Sequence, residues 1–154
     1  MSNARKKLRV LYSFPHKLGA GRICTTAWHQ IAGAASAGVE MTVYCGSLVR
    51  RLPPSVAVHT TLSWRTLRIP YRLLGTRLAC ALHDQIVARK LKQMAGRFDI
   101  VHVWPLAAAR TIKAACQLGM ISVLERPNAH TRFAYEVVQQ ECRKLGISMA
   151  RCWT

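Results

Sequence analysis

Residues 8–45 read LRVLYSFPHKLGAGRICTTAWHQIAGAASAGVEMTVYC, and their order sets the fold class. Leu8–Phe14 is a short apolar run rich in β-forming residues and reads as a buried first strand. Pro15–Gly21 follows, punctuated by one Pro and two Gly, and reads as a loop. From Arg22 to about Ala37 the residues suit a helix, with Ile23, Ala27, Ile31 and Ala34 on one stripe. Gly38 stops that helix, and Val39–Cys45 reads as a second strand. Strand, helix and strand within about 38 residues is the length of a βαβ unit.

The same alternation continues outward. Val56–Leu62 reads as a strand after the turn signal Pro53-Pro54, and Ser63–Tyr71 carries no regular pattern. Leu73 to about Ala95 has the longest helical pattern, with Leu74, Leu78, Leu82 and Ile86 along one face. Phe98–Trp104 reads as a buried strand, Ala107–Leu118 as a small-residue helix stopped by Gly119, and Met120–Leu124 as a further strand. Ala134–Leu145 reads as a last helix, stopped by Gly146. This order predicts an α/β fold: a Rossmann-like parallel sheet with helices on both faces. With 154 residues, no internal repeat and no linker, one domain over residues 1–154 is expected.

The composition narrows the classes of function. The six cysteines are scattered, with no Cys-x-x-Cys pair and no His at ligand spacing, so they read as reduced core thiols. No metal site is expected. The first residues are basic and then apolar, but the run carries Arg9 and is broken at Pro15, unlike a secretory signal. Nowhere do about 18 consecutive apolar residues occur, so no membrane-spanning helix is expected. The expected location is cytoplasmic.

In an open parallel sheet, ligands bind beyond the carboxyl ends of the strands. That rule selects three loops. Gly19 and Gly21 let the backbone approach a ligand ahead of a helix N-terminus, which favours anions. Trp104-Pro105 follows the fourth strand. Glu125, Arg126, His130 and Arg132 crowd the loop after the fifth, offering carboxylate, guanidinium and imidazole chemistry. A nicotinamide dinucleotide site fits poorly. Its fingerprint needs a small residue where Cys24 stands and an acid after the second strand, where Tyr44-Cys45-Gly46 has none.

The run Phe98-Asp99-Ile100-Val101-His102-Val103-Trp104-Pro105, the helix after it, the run from Val123 to Arg132 and the opening strand with its glycine loop resemble one known family. They look like the N-terminal domain of family 4 glycosyltransferases, retaining enzymes with the two-domain GT-B architecture. The resemblance implies that this half recognises the acceptor. It implies that the loop at Gly19 and Gly21 approaches the donor diphosphate and the acceptor, and that a His after the fifth strand contacts the donor sugar. His130 is the candidate for that role, with Trp104, Glu125, Arg126 and Arg132 as substrate-binding candidates. No cofactor is implied beyond the sugar nucleotide as donor substrate, with a glycan or lipid-linked acceptor in cell-envelope or polysaccharide synthesis. The donor-binding residues of the family belong to a C-terminal domain that is expected to be absent here, so the chain is expected to be inactive alone.

The charge balance points to anionic partners. The chain has 23 Lys and Arg against 6 Asp and Glu. Between Gly46 and Arg97 lie Arg50, Arg51, Arg65, Arg68, Arg72, Arg77, Arg89, Lys90, Lys92 and Arg97, with Asp84 as the lone acid. Such a stretch could hold a protein to the inner face of an anionic membrane. The alternative is a stand-alone basic module that binds anionic lipid or nucleic acid. No nucleic-acid motif is present and aromatic residues are sparse, which argues against the nucleic-acid version.

Overall fold

The computed structural model describes residues 7–64, 67–68, 71–126 and 131–148. The elements in order are β1 (Arg9–Leu18), α1 (Ile23–Ser36), β2 (Glu40–Leu48), β3 (Ala57–Thr60), β4 (Ser63–Trp64), β5 (Leu67–Arg68), α2 (Tyr71–Gln93), β6 (Ile100–Val103), α3 (Ala109–Gln117), β7 (Ile121–Leu124) and α4 (Thr131–Leu145). Five strands form one sheet in the order β3-β2-β1-β6-β7, and every pairing in it is parallel. The expected Rossmann-like α/β architecture is therefore present. The order reverses between β1 and β6, so the ligand crevice of this fold class falls where those two strands end.

Alternation along β1 divides the core in two. Val10, Tyr12 and Phe14 face α1 and pack with Ala27, Ile31, Met41, Val43 and Trp104. Leu11 faces the other way and packs with Val87, Leu91, Val101, Val103, Ala114 and Ala115 of α2, β6 and α3. Each burial of a Leu- or Ile-sized side chain contributes about 1.5–3 kcal/mol. At the amino end of the sheet, Arg9 grips Asp99 through Nε (3.1 Å) and a terminal nitrogen (2.8 Å). Its backbone amide also donates to Asp99 (2.9 Å). This ties the first residue of β1 to the approach of β6, 90 residues away.

Several sequence expectations need correction, beginning with the stretch from Ser63 read as without pattern, where β4 and β5 pair antiparallel. The first loop starts later than Pro15, because β1 runs on to Leu18 after a bulge between Phe14 and Lys17. The bulge is possible because Gly46 sits against the Pro15 carbonyl oxygen, where a Cβ would collide. The long helix is not one straight unit: Gly75 breaks it at φ 69°, ψ 154°. Its buried face is also different. Leu78 is exposed, and the core side is Ala79, Cys80, His83, Asp84, Val87, Ala88 and Leu91. Two polar residues on that face, His83 and Asp84, disguise its period.

Both polar residues are satisfied. Asp84 accepts from the backbone amides of Arg110 (2.9 Å) and Thr111 (2.9 Å), and from the Thr111 hydroxyl (2.7 Å). It thus caps α3, whose own Ala108 at the N-cap offers no side chain for the task. His83 lies between Ser13 Oγ (2.9 Å) and Thr61 Oγ1 (2.7 Å). Of the cysteines, none of those described is in a disulfide; Cys45 and Cys80 are buried, but Cys116 is exposed and is not a core thiol. The edge strand β7 is exposed along its whole length. No helix among the described residues is long and apolar enough to cross a membrane.

Candidate functional site

The glycine loop after β1 is built from unusual backbone. Gly19 has φ 84°, Gly21 φ 97° and Arg22 φ 48°. Gly19 is obligatory for a second reason: a Cβ there would lie 2.6 Å from Cβ of Arg50. Arg50 in turn lays its guanidinium 3.7 Å above the Trp28 ring centre, a cation–π contact. The Trp28 indole N–H donates to the Arg51 carbonyl (3.1 Å). The loop after β2 is thereby clamped across the loop after β1. No side chain caps the first turn of α1 and no acid stands in it; the amides of Cys24 and Thr25 donate instead to the carbonyls of Gly21 (3.1 Å) and Arg22 (2.9 Å). His16, Lys17, Ala20, Ile23 and Cys24 line an open depression of about 390 Å³ beside it. Burial lowers the His16 pKa, keeping that ring neutral at pH 7.

A second assembly crosses the α1 side of the sheet. The Trp104 indole N–H donates to the Tyr12 hydroxyl (2.7 Å), which donates to Gln30 Oε1 (2.6 Å). Gln30 Nε2 donates to Glu125 Oε2 (3.3 Å), and His102 Nε2 lies 3.2 Å from the same oxygen. Every donation in the chain runs toward Glu125. Tyr12 and His102 are register partners in β1 and β6, and their rings lie 4.6 Å apart. Burial lowers the His102 pKa, although Glu125 opposes that shift. The imidazole is therefore neutral at pH 7 and donates its Nε2 proton to Glu125. Side chains of His102 and Glu125 remain 20% and 25% exposed, so the pair can meet a ligand.

The predicted site residues fall into three groups. Gly19 and Gly21 lie between the end of β1 and the start of α1. Glu125 is joined to Trp104 through Tyr12 and Gln30, but the Trp104 ring is only 2% exposed and holds Tyr12 from within the core. Arg126 and Arg132 are exposed, at the end of β7 and in the first turn of α4. His130 lies outside the described residues. Sequence reasoning missed His102, Gln30 and Tyr12. The available signal was His102 itself, a polar residue on the same alternation of β6 as Ile100 and Trp104.

Ser13 and His83 would look like a nucleophile and base by distance alone. Both are fully buried, however. Thr61 Oγ1 also donates to the Cys45 carbonyl (3.2 Å), so His83 Nδ1 donates to Thr61 and Nε2 accepts from Ser13. This assignment needs a neutral ring, in keeping with a pKa pushed down to about 4 by burial. The trio is a clasp between β1, α2 and the end of β3.

The parallel α/β fold is shared with part of larger solved structures. It is similar to TcCGT1, solved in complex with UDP, with a TM-score of 0.55 and 10% identity over 94% of this chain and 33% of that one. CalG4, the calicheamicin glycosyltransferase, aligns with a TM-score of 0.52 and 12% identity over 94% of this chain and 38% of its own. The C-terminal domain of a hydrogenase from Pyrococcus furiosus reaches a TM-score of 0.49 and 10% identity, over 79% of this chain and 94% of that one. The chain spans about a third of the length of TcCGT1 and of CalG4. No family model matches the sequence, and neither does any curated protein.

Proposed function

We propose that this chain is the acceptor-side domain of a sugar-nucleotide-dependent glycosyltransferase, of the retaining family 4 type, in cell-envelope or polysaccharide glycan synthesis. The observation that carries the reading is the position of α1. Its N-terminus and glycine loop lie at one end of the crevice, while Gln30, seven residues on and about 10 Å along the axis, holds Glu125. A glycine loop at the start of α1 and a partly exposed carboxylate held by Gln30 of the same helix suit a diphosphate beside a sugar hydroxyl. The fold shared with CalG4 supports the same reading. In it, residues 1–154 act as one domain that supplies one wall of a cleft, and turnover needs a donor-binding domain on the other side. Exposed Arg89, Lys90, Lys92 and Arg97 near the end of α2 favour an anionic membrane surface holding a lipid-linked acceptor at the cytoplasmic face.

Saturation-transfer NMR with a panel of mono- and disaccharide glycosides tests the reading. Contact with at least one glycoside is expected, weakened tenfold or more in Glu125→Gln while the thermal midpoint stays within a few degrees. A chain that contacts no saccharide, or a variant that binds unchanged, overturns it.

A further inference from the structure

The face opposite α1 carries a site of its own. Helices α2 and α3 approach closely because the residues between them are small: Ala88 on one and Ala114 on the other. The facing stripes are Gln85, Arg89 and Lys92 on α2, spaced i, i+4, i+7, and Arg110, Lys113 and Gln117 on α3, spaced i, i+3, i+7. Those spacings put each trio on one helix side. Between them lies a depression of about 320 Å³, at the lower end of the range for small-molecule sites, about 300–1,000 Å³.

Four cations surround that space, and no carboxylate lines it among the described residues. The nearest acid in sequence is Asp84, which is 6% exposed and directs both oxygens to α3. Asp99, Glu125 and Glu141 have ion-pair partners elsewhere. Arg110 adds a further cost, since it sits in the first turn of α3, where a positive side chain opposes the helix dipole. Its guanidinium is held toward the groove by Gln85 Oε1 (2.5 Å). Four like charges around one depression favour an anion there, and two arginines favour the forked recognition of phosphate oxygens.

We propose that the α2–α3 groove binds a phosphate-bearing anion of at least two charges through Arg89, Lys92, Arg110 and Lys113. The site lies across the sheet from the glycine loop and does not depend on the glycosyltransferase reading. The phosphate could belong to a soluble diphosphate or to a lipid headgroup, and the two sources separate by experiment.

The test uses the full chain, the double variant Arg89→Gln with Lys113→Gln, and a control of equal net charge, Lys7→Gln with Arg143→Gln. Inorganic pyrophosphate is titrated by calorimetry at 0.15 M salt, and vesicles of phosphatidylglycerol in phosphatidylcholine are sedimented in parallel. The groove variant should lose tenfold or more of its affinity for the probe that binds, and the control less than twofold. Pyrophosphate binding with the chain left in the supernatant identifies a soluble ligand. Sedimentation lost only in the groove variant identifies a headgroup. Binding to neither probe, or equal loss in both variants, overturns the proposal, because the attraction would then be that of overall charge.

Discussion

Asp84 of α2 accepts both the backbone amide (2.9 Å) and the hydroxyl (2.7 Å) of Thr111, so the N-terminus of α3 is capped by a residue from another helix. The two helices are thereby locked in register as well as packed. Asp84→Ala should leave the amides of Arg110 and Thr111 without their partner and the buried Thr111 hydroxyl with only the backbone carbonyl of residue 84 (3.4 Å). With a cap worth about 0.5–2 kcal/mol and each buried orphan about 1–3 kcal/mol, a loss of about 3 kcal/mol is expected. Asp84→Asn keeps one acceptor oxygen and should lose less. Urea unfolding midpoints of the three proteins measure the difference.

His83 makes stability depend on acid. Its folded pKa is about 4, below the ordinary 6.5, so the unfolded state binds more protons between those values. Stability is then fully present above pH 6.5 and falls as the pH drops toward 4, by about 3 kcal/mol in total. His16 and His102, whose pKa values are also lowered by burial, add to the fall in the same sense. Thermal midpoints at pH 7.5, 6, 5 and 4 should decline steadily, and His83→Gln should be less stable at pH 7.5 but show a shallower decline.

Gly19→Ala should disturb more than its own loop. The left-handed backbone costs about 1–2 kcal/mol for a residue with a Cβ, and that Cβ meets the Arg50 side chain. The expected result is Arg50 displaced from Trp28, read as a shift in tryptophan emission together with lower stability. Gly21→Ala has the same backbone problem but open space around it. It should cost stability and leave the emission unchanged.

Tyr12→Phe removes the middle of the polar chain. The buried Trp104 N–H loses its acceptor and Gln30 loses a donor, at a cost of about 1–3 kcal/mol. Glycoside binding should weaken with it, because Gln30 no longer holds Glu125 in place. Phenylalanine restores the ring volume, so a variant of native stability and affinity would show that the chain carries neither.

These residues mark how far the sequence could be read. The opening βαβ unit was legible because glycines and apolar periods bracket it on both sides. The face of α2 was not, since His83 and Asp84 occupy core positions and satisfy partners 22 to 70 residues away. Glu125 stood out in a dense loop, yet its partner His102 is 23 residues distant on another strand. Only the parallel register of β1, β6 and β7 brings Tyr12, His102 and Glu125 to one side of the sheet, and register is a tertiary property.

The exposed strand β7 gives the high positive charge a second meaning. Ile121, Val123 and Leu124 stand 40–63% exposed on an outer strand, and an open apolar edge invites other chains to add themselves to the sheet. A formal charge of +17 keeps identical molecules apart. That repulsion reaches about 10 Å at 0.1 M salt and only about 3 Å at 1 M. Concentrated salt is therefore expected to let that edge recruit further chains, and light scattering at 0.1 M and 1 M salt should show larger particles in the second.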